Sequence, residues 1–82
     1  MLVHVIFTRH ALQQAALRSI SRGDIITTLA NPDSTMLGST GNTVAQKLFG
    51  NYLLRVIHQV ESNGDIRVIT AYKTSKVSKY TP

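Results

Sequence analysis

Apolar residues recur at helical spacing near the start of the chain. Residues 9–20 carry one apolar stripe, formed by Leu12, Ala15, Ala16 and Ile20, and this spacing predicts a helix. Thr8 precedes the segment, and its hydroxyl can accept a hydrogen bond from a backbone N–H group of the first turn. Residues 2–7 are mostly apolar and predict a short strand before the helix.

A second helix is predicted to begin at Ser21. Asp24 follows three residues later, which makes an approximate capping box with Asp in the usual place of Glu or Gln. The buried face of this helix is formed by Ile25, Ile26 and Leu29. The helix ends before Pro32, because the residue that precedes a proline is pushed out of helical geometry. The two helices therefore form a hairpin with a very short connection.

The pattern changes to strands from Ser34 onward. Strands are predicted at residues 36–37, 43–49, 52–61 and 66–73, with turns between them at residues 38–42, 50–51 and 62–65. Asn63-Gly64, at the centre of the last turn, is the strongest short hairpin signal. Two helices followed by hairpin-connected strands predict an α+β fold. In this fold both helices pack on one face of an antiparallel sheet of about three to five strands.

The two hairpin turns determine which side chains lie opposite one another. If Gly50-Asn51 and Asn63-Gly64 are both two-residue loops, Ser62 pairs with Asp65 at the second turn. Gln46 then lies opposite Arg55, and Arg55 lies opposite Tyr72, so the three form one row on one face of the sheet. The neighbouring row, on the other face, holds Lys47, Leu54 and Lys73. Neither face is cleanly apolar, so the pattern leaves open which face the helices cover.

Composition limits the class of protein further. The 82 residues, 43% of them hydrophobic, predict a single domain over residues 1–82. The absence of cysteine excludes a disulfide framework and fits the reducing cytoplasm. Three histidines and four acidic residues are too widely spaced to suggest a metal site, and no cofactor motif is present. No stretch has the length of a membrane span or the pattern of a secretory signal.

Positive charge is concentrated toward the C-terminal end. The net charge is +5, and no acidic residue follows Asp65. The basic residues beyond that point are Arg67, Lys73, Lys76 and Lys79. Lysine and arginine interleaved with Tyr72 and Tyr80 favour a phosphate-rich ligand, of which RNA or DNA is the commonest. A solvated basic surface or a disordered tail is the alternative interpretation.

Two further residues are candidates for chemistry on a phosphate. His10 lies in the first turn of the first predicted helix, where a neutral imidazole could act as general base on a ribose 2′-hydroxyl. The alternative for His10 is a local or capping contact. Arg55 interrupts an apolar strand, and its guanidinium could bind a phosphate and stabilise a pentacoordinate phosphorane. The alternative for Arg55 is a position at the sheet edge, or an ion pair with Glu61 or an aspartate.

Six short segments together resemble a known family. They read FTRHAL at residues 7–12, ISRGDI at 20–25, LANP at 29–32, LRVI at 54–57, VITAY at 68–72 and KY at 79–80. The chain resembles a family of small bacterial and phage-borne domains of unassigned function, often grouped with the RelE/BrnT-like toxins, which include metal-free ribonucleases. The resemblance implies two helices over a curved antiparallel sheet with a basic open face. Two departures are Tyr72, where BrnT-type toxins have an arginine, and Ala16-Leu-Arg-Ser19, where the family often has arginine and glutamate, then glycine.

The resemblance implies a toxin that cleaves RNA without a metal or cofactor. His10 would be the base or a phosphate ligand, Arg55 the transition-state stabiliser, and Tyr72 or Tyr80 the proton donor. The RNA backbone would be held by Lys47, Lys73, Lys76 and Lys79. The implied partners are RNA and an antitoxin that covers the basic face. If cleavage depends on the ribosome, the RNA would be bound there. The alternative hypothesis is a non-enzymatic module that uses the same face to bind nucleic acid or a protein.

Overall fold

A short strand and two capped helices form the first part of the computed structural model, which describes residues 4–38 and 41–80. Strand β1 is Val5–Phe7, helix α1 is Arg9–Leu17 and helix α2 is Arg22–Ala30. Thr8 Oγ1 accepts a hydrogen bond from the Ala11 N–H at 3.0 Å, and Ser21 Oγ accepts one from the Asp24 N–H at 3.0 Å. Both predicted N-caps are therefore confirmed.

Helix α1 ends earlier than predicted, because a Schellman turn follows Leu17. Ser19 has a φ of 55°, the Ser19 N–H bonds to the Ala16 carbonyl at 3.3 Å, and the Ile20 N–H bonds to the Ala15 carbonyl at 2.8 Å. This pair of reversed bonds satisfies carbonyls that a helix end would leave without a partner. Ile20 is still buried. It therefore belongs to the core as a residue of the turn and not as a further residue of the helix.

Five strands form one open sheet. The remaining strands are β2 (Ser34–Leu37), β3 (Thr43–Phe49), β4 (Tyr52–Val60) and β5 (Ile66–Thr74), and a four-residue helix α3 (Val77–Tyr80) follows. The strand order is β1-β5-β4-β3-β2. The pairs from β2 to β5 are antiparallel, and β1 joins the edge parallel to β5. The α+β fold class is confirmed, and β1 makes the sheet mixed.

The register between β4 and β5 depends on two local irregularities. The predicted pairing of Ser62 with Asp65 is wrong: the Glu61 N–H bonds to the Asp65 carbonyl at 2.8 Å, which leaves a loop of residues 62–64. Gly64 supplies the positive φ, 93°, that such a loop requires. The register slips back by one residue at a bulge, where Ile57 pairs with Thr70 and His58 pairs with Val68. The two changes offset each other, and the predicted pairing of Arg55 with Tyr72 is confirmed.

Helices α1 and α2 cover the face of the sheet opposite Arg55. The core joins Ala11, Ala15, Ile20 and Ile25 to Leu54, Val56, Val68 and Ala71. Since side chains alternate along a strand, Leu54 and Val56 face the helices whereas Arg55 faces away. The structure thus shows which face of the sheet the helices cover, which the hydrophobic pattern left open.

Replacing Ser19 by glycine should raise the free energy of unfolding by about 0.5–1 kcal/mol, because glycine adopts a positive φ without the steric cost of a Cβ atom. The matched control is Ser62→Gly, at an exposed position whose φ is not positive. There the added freedom of the unfolded chain should lower stability. Urea denaturation measures both changes, and equal effects of the two substitutions would contradict the Schellman turn.

Candidate anion-binding site

Arg55 lies at the centre of a polar row that crosses four strands. The register places Gln46 on one side of Arg55 and Tyr72 on the other, and it places Ser34 beyond Gln46. The row lies on the sheet face that α1 and α2 leave uncovered. Arg55 is nevertheless only 8% exposed, so its charge is almost entirely removed from water.

Neutral groups satisfy the Arg55 guanidinium. Nε donates to Gln46 Oε1 at 3.0 Å, Nη1 donates to the Tyr72 hydroxyl, and Nη2 contacts the Met36 sulfur at 3.3 Å. These contacts use three of the five N–H groups that a guanidinium carries. The network continues through Gln46, whose Nε2 donates to Ser34 Oγ at 2.9 Å.

No carboxylate of the described residues pairs with Arg55. Within residues 4–38 and 41–80, Asp33 pairs with Lys47 and Glu61 pairs with Arg67, and the Asp65 carboxylate lies 4.0 Å from His4 Nδ1. The alternative in which Arg55 pairs with Glu61 is therefore wrong, because that carboxylate bonds to Arg67. A nearly buried cation without a counter-ion favours the approach of an anion.

Two tyrosine rings complete the surroundings of Arg55. Its Cζ atom lies 5.6 Å from the ring centroid of Tyr72 and 4.1 Å from that of Tyr80. Both distances allow cation–π attraction, which partly compensates for the lost hydration of the guanidinium. The Tyr80 carbonyl also accepts a hydrogen bond from Gln46 Nε2 at 2.8 Å. Helix α3 therefore lies over the row, and the C-terminal segment is not a free tail as far as Tyr80.

A cleft of about 320 Å³ opens beside Arg55 on the same face. Its walls combine apolar side chains with polar groups and are formed by Met36, Leu37, Gly38, Asn42, Val44, Arg55 and Ile57. A cavity of this size suits a small organic group. The apolar side chains of the cleft lie beside a cation that pairs with no carboxylate of the described residues. This combination suits a ligand that carries both an apolar or aromatic part and a negative charge.

The predicted catalytic residues do not all converge. Arg55, Tyr72 and Tyr80 meet on the uncovered face. His10 does not join them, because it is an exposed residue of α1, which packs on the other face of the sheet. A helical pattern shows that His10 is near a helix N-terminus but cannot show on which side of the sheet the helix lies.

The predicted basic surface is divided between the two sides of the sheet. Lys47 donates to the Asn31 carbonyl at 3.1 Å and pairs with Asp33 at 3.7 Å, on the helix side. Lys73 lies on the same side, 5.2 Å from the ring centroid of Tyr52. Lys79 belongs to α3 and lies 5.4 Å from the Tyr80 ring centroid, and Lys76 leads into α3. Only Lys76 and Lys79 therefore belong to the segment that covers the Arg55 row.

Three residues of the site, namely Gln46, Ser34 and Met36, were not predicted from the sequence to be site residues. Gln46 was placed in the row by the hairpin register, and its position beside an arginine was the signal for a polar network. Ser34 extends the same row by one strand, and correct bounds for β2 would have found it. Met36 gives no signal in the sequence, since a methionine in a strand is usually a core residue.

Two further findings concern residues 4–38 and 41–80 only. No three histidine or acidic side chains lie close enough together to hold a metal ion. None of the helices is both long and apolar enough to cross a membrane.

The chain belongs to the family described as a domain of unknown function, DUF4258. The profile of this family matches residues 7–73, which is most of the chain. The match includes Gln46, Arg55 and Tyr72 and ends before Tyr80. No curated protein and no solved structure gives a significant match. Membership of a family of small, functionally unassigned domains is thus confirmed, and the relation to RelE/BrnT-like toxins stays a prediction.

Removing the Tyr72 hydroxyl should destabilise the protein, because a nearly buried guanidinium loses an acceptor. We expect Tyr72→Phe to lower the free energy of unfolding by about 1–2 kcal/mol. Tyr52→Phe is the matched control, since Tyr52 stacks on Phe49 and its hydroxyl has no hydrogen bond described among residues 4–38 and 41–80. That control should change stability by less than about 0.5 kcal/mol. Urea titrations that give equal losses for the two variants would rule out a special role of the Tyr72 hydroxyl.

Proposed function

We propose that the protein is a RelE/BrnT-like toxin that acts on RNA as a metal-free ribonuclease, with Arg55 as its phosphate-binding residue. The observation that carries this proposal is the nearly buried Arg55 charge, which pairs with no carboxylate within residues 4–38 and 41–80 and borders a cleft lined in part by apolar side chains. A nucleotide supplies a group for each feature, a phosphate for the guanidinium and a base for the cleft. An RNA-acting protein of this kind would work in the cytoplasm.

The remaining donors of Arg55 support the first part of the reaction. Two of its five N–H groups are not used by Gln46, Tyr72 or Met36. They would bind the non-bridging oxygens of a phosphodiester and stabilise the extra negative charge of the phosphorane. Because these donors are already oriented by the protein, little reorganisation is needed when that charge develops.

Tyr72 is suited to donate a proton to the leaving group. Its hydroxyl oxygen accepts a bond from Arg55 Nη1, so its own O–H remains available to another acceptor. In the reaction, the ribose 2′-oxygen attacks phosphorus and the bond from phosphorus to the 5′-oxygen breaks. The 2′-hydroxyl proton passes to water, and the 5′-oxygen takes a proton from Tyr72. Tyr80 is the alternative donor, since its ring lies on the same guanidinium.

A non-enzymatic RNA-binding module is the second candidate, and the position of His10 favours it. With His10 across the sheet, the polar side chains that donate to or accept from Arg55 are Gln46 and Tyr72, and neither supplies the imidazole that general-base catalysis was assigned to. Such a module would hold the same phosphate without turnover. If the protein is a toxin, an antitoxin with an acidic or apolar segment that covers the Arg55 face would block RNA, whether free or on the ribosome.

Arg55→Lys should lower the initial rate of RNA cleavage at least about 100-fold, because lysine keeps the charge but loses the planar set of donors. His10→Ala should change the rate less than about twofold, since His10 lies across the sheet. Tyr72→Phe and Tyr80→Phe, compared in the same assay, identify the proton donor. The measurement is cleavage of RNA by the purified protein, paired with growth and RNA profiles after induction in bacteria.

Three results of that assay are informative. A folded wild-type protein that binds RNA without cleaving it favours the non-enzymatic module. A folded protein that neither binds nor cleaves RNA, and does not affect growth, rules out both candidates. A large loss in His10→Ala would show that the site proposed at Arg55 is not where cleavage occurs.

Because the lysines lie on two different sides of the sheet, we expect them to contribute unequally to RNA binding. The double variant Lys76→Ala/Lys79→Ala should weaken RNA binding about tenfold at roughly 0.1 M salt and flatten its salt dependence. The matched double variant Lys47→Ala/Lys73→Ala removes the same charge from the helix side of the sheet and should weaken binding less than about twofold. Equal losses in a fluorescence anisotropy titration would show that RNA does not select the Arg55 face.

A further inference from the structure

The Arg55 guanidinium is covered by a single short segment. Helix α3 has four residues, none of them buried. The Tyr80 ring centroid lies 4.1 Å from Arg55 Cζ, and the Tyr80 carbonyl accepts a hydrogen bond from Gln46 Nε2 at 2.8 Å. A phosphate or base can reach Arg55 from this side only when Tyr80 leaves. The contacts described for Tyr80 are few, but its partners Arg55 and Gln46 are nearly buried. The exchange is therefore favoured by a ligand that replaces both contacts.

We propose that the position of the Tyr80 ring is a stacking site for an unpaired nucleobase, which Tyr80 occupies in the free protein. This inference rests on the proposed function, because the base belongs to the RNA that Arg55 would bind. The simplest such base is uracil, and its source is either an RNA strand or a free nucleotide.

The stacking partner follows from the chemistry of the guanidinium. Arginine planes stack on unpaired bases as they do on tyrosine rings, since both are flat aromatic systems. A nucleotide also brings a phosphate, which neutralises the Arg55 charge, whereas Tyr80 brings no negative charge. The exchange of Tyr80 for a nucleotide therefore replaces one stacked ring by another and adds an ion pair.

Gln46 requires that the base carry an acceptor. Gln46 is 1% exposed, its Oε1 is engaged by Arg55, and its Nε2 donates to Ser34 and to the Tyr80 carbonyl. The bond from Arg55 fixes the orientation of the amide, so Nε2 is the atom presented toward Tyr80. When Tyr80 leaves, this buried N–H needs a new acceptor. A carbonyl oxygen of uracil can replace the lost Tyr80 carbonyl. A sugar phosphate without a base has no such carbonyl.

The test compares Tyr80→Ala with Tyr80→Phe in the full chain. The probes are uridine monophosphate, ribose 5-phosphate and a short oligouridylate, titrated by calorimetry. Tyr80→Ala should bind uridine monophosphate about tenfold more tightly than the wild type, because the site no longer has to be vacated. Both variants keep the backbone carbonyl, and only Tyr80→Phe keeps the ring, so Tyr80→Phe should bind as the wild type does. Ribose 5-phosphate should gain less from Tyr80→Ala, since it lacks the base.

The outcomes separate this inference from the proposed function. If Tyr80→Ala gains nothing for uridine monophosphate, or gains equally for ribose 5-phosphate, the stacking site is wrong even if RNA binds. If neither the wild type nor Tyr80→Ala binds oligouridylate, the proposed function fails as well. Tighter binding of oligouridylate than of the mononucleotide by Tyr80→Ala identifies RNA as the source of the base, and the reverse identifies a free nucleotide.

A second measurement uses the wild-type protein and does not depend on the folding of a variant. Saturating uridine monophosphate should shift the NMR signals of the Tyr80 ring and of the Gln46 side-chain amide. The Tyr52 ring, which packs against the core on the helix side, should stay unchanged. Tyr80 and Gln46 signals that do not move while the nucleotide binds would overturn the assignment.

Discussion

In the part of the chain that the structure describes, neutral groups surround the positive charge of Arg55. A guanidinium with 8% exposure loses most of its hydration, and that loss is costly unless its N–H groups find acceptors. Gln46 and Tyr72 provide them from the two neighbouring strands, and two tyrosine rings provide their π faces. The register of β3, β4 and β5, and the position of α3, all have to be correct for this to hold.

Because of this constraint, the two faces of the sheet are packed in different ways. The helix side follows ordinary packing, with small residues of α1 against Val68 and Ala71. On the other side, the Arg55 charge, its hydrogen bonds and a cleft stand in the place of an apolar core. The chain has only four acidic residues, and two of them, Asp33 and Glu61, pair with Lys47 and Arg67. The same arrangement that makes Arg55 costly to bury is the basis of the anion binding proposed for this face.

Much of the fold could be predicted from the sequence because its signals are local. Thr8 and Ser21 cap their helices through their own hydroxyls, and β3 has the predicted bounds. The faces could not be predicted, since both carry apolar residues and helix docking is a tertiary choice. His10 was placed correctly on α1, but which side of the sheet α1 covers is again a tertiary property.

The candidate site was predictable in part. The pairing of Gln46, Arg55 and Tyr72 follows from hairpin register. The cover by Tyr80 does not, because a four-residue helix has no periodic pattern to detect. The lysines were treated as one basic surface, although the alternation along β3 and β5 sends Lys47 and Lys73 to the helix side.

The loop at residues 62–64 and the bulge at Ile69 have a joint consequence for how this protein can vary. Both consist of residues outside the ladder of pairs between β4 and β5. A deletion of Ser62 or of Ile69 therefore keeps the pairs on either side of it, and Arg55 stays opposite Tyr72. A deletion of a paired residue between the bulge and Tyr72, such as Ala71, would instead turn over the strand beyond it and bring Lys73 beside Arg55. Length changes in this hairpin are thus tolerated at the loop and at the bulge, and not in the paired segment that holds the arginine.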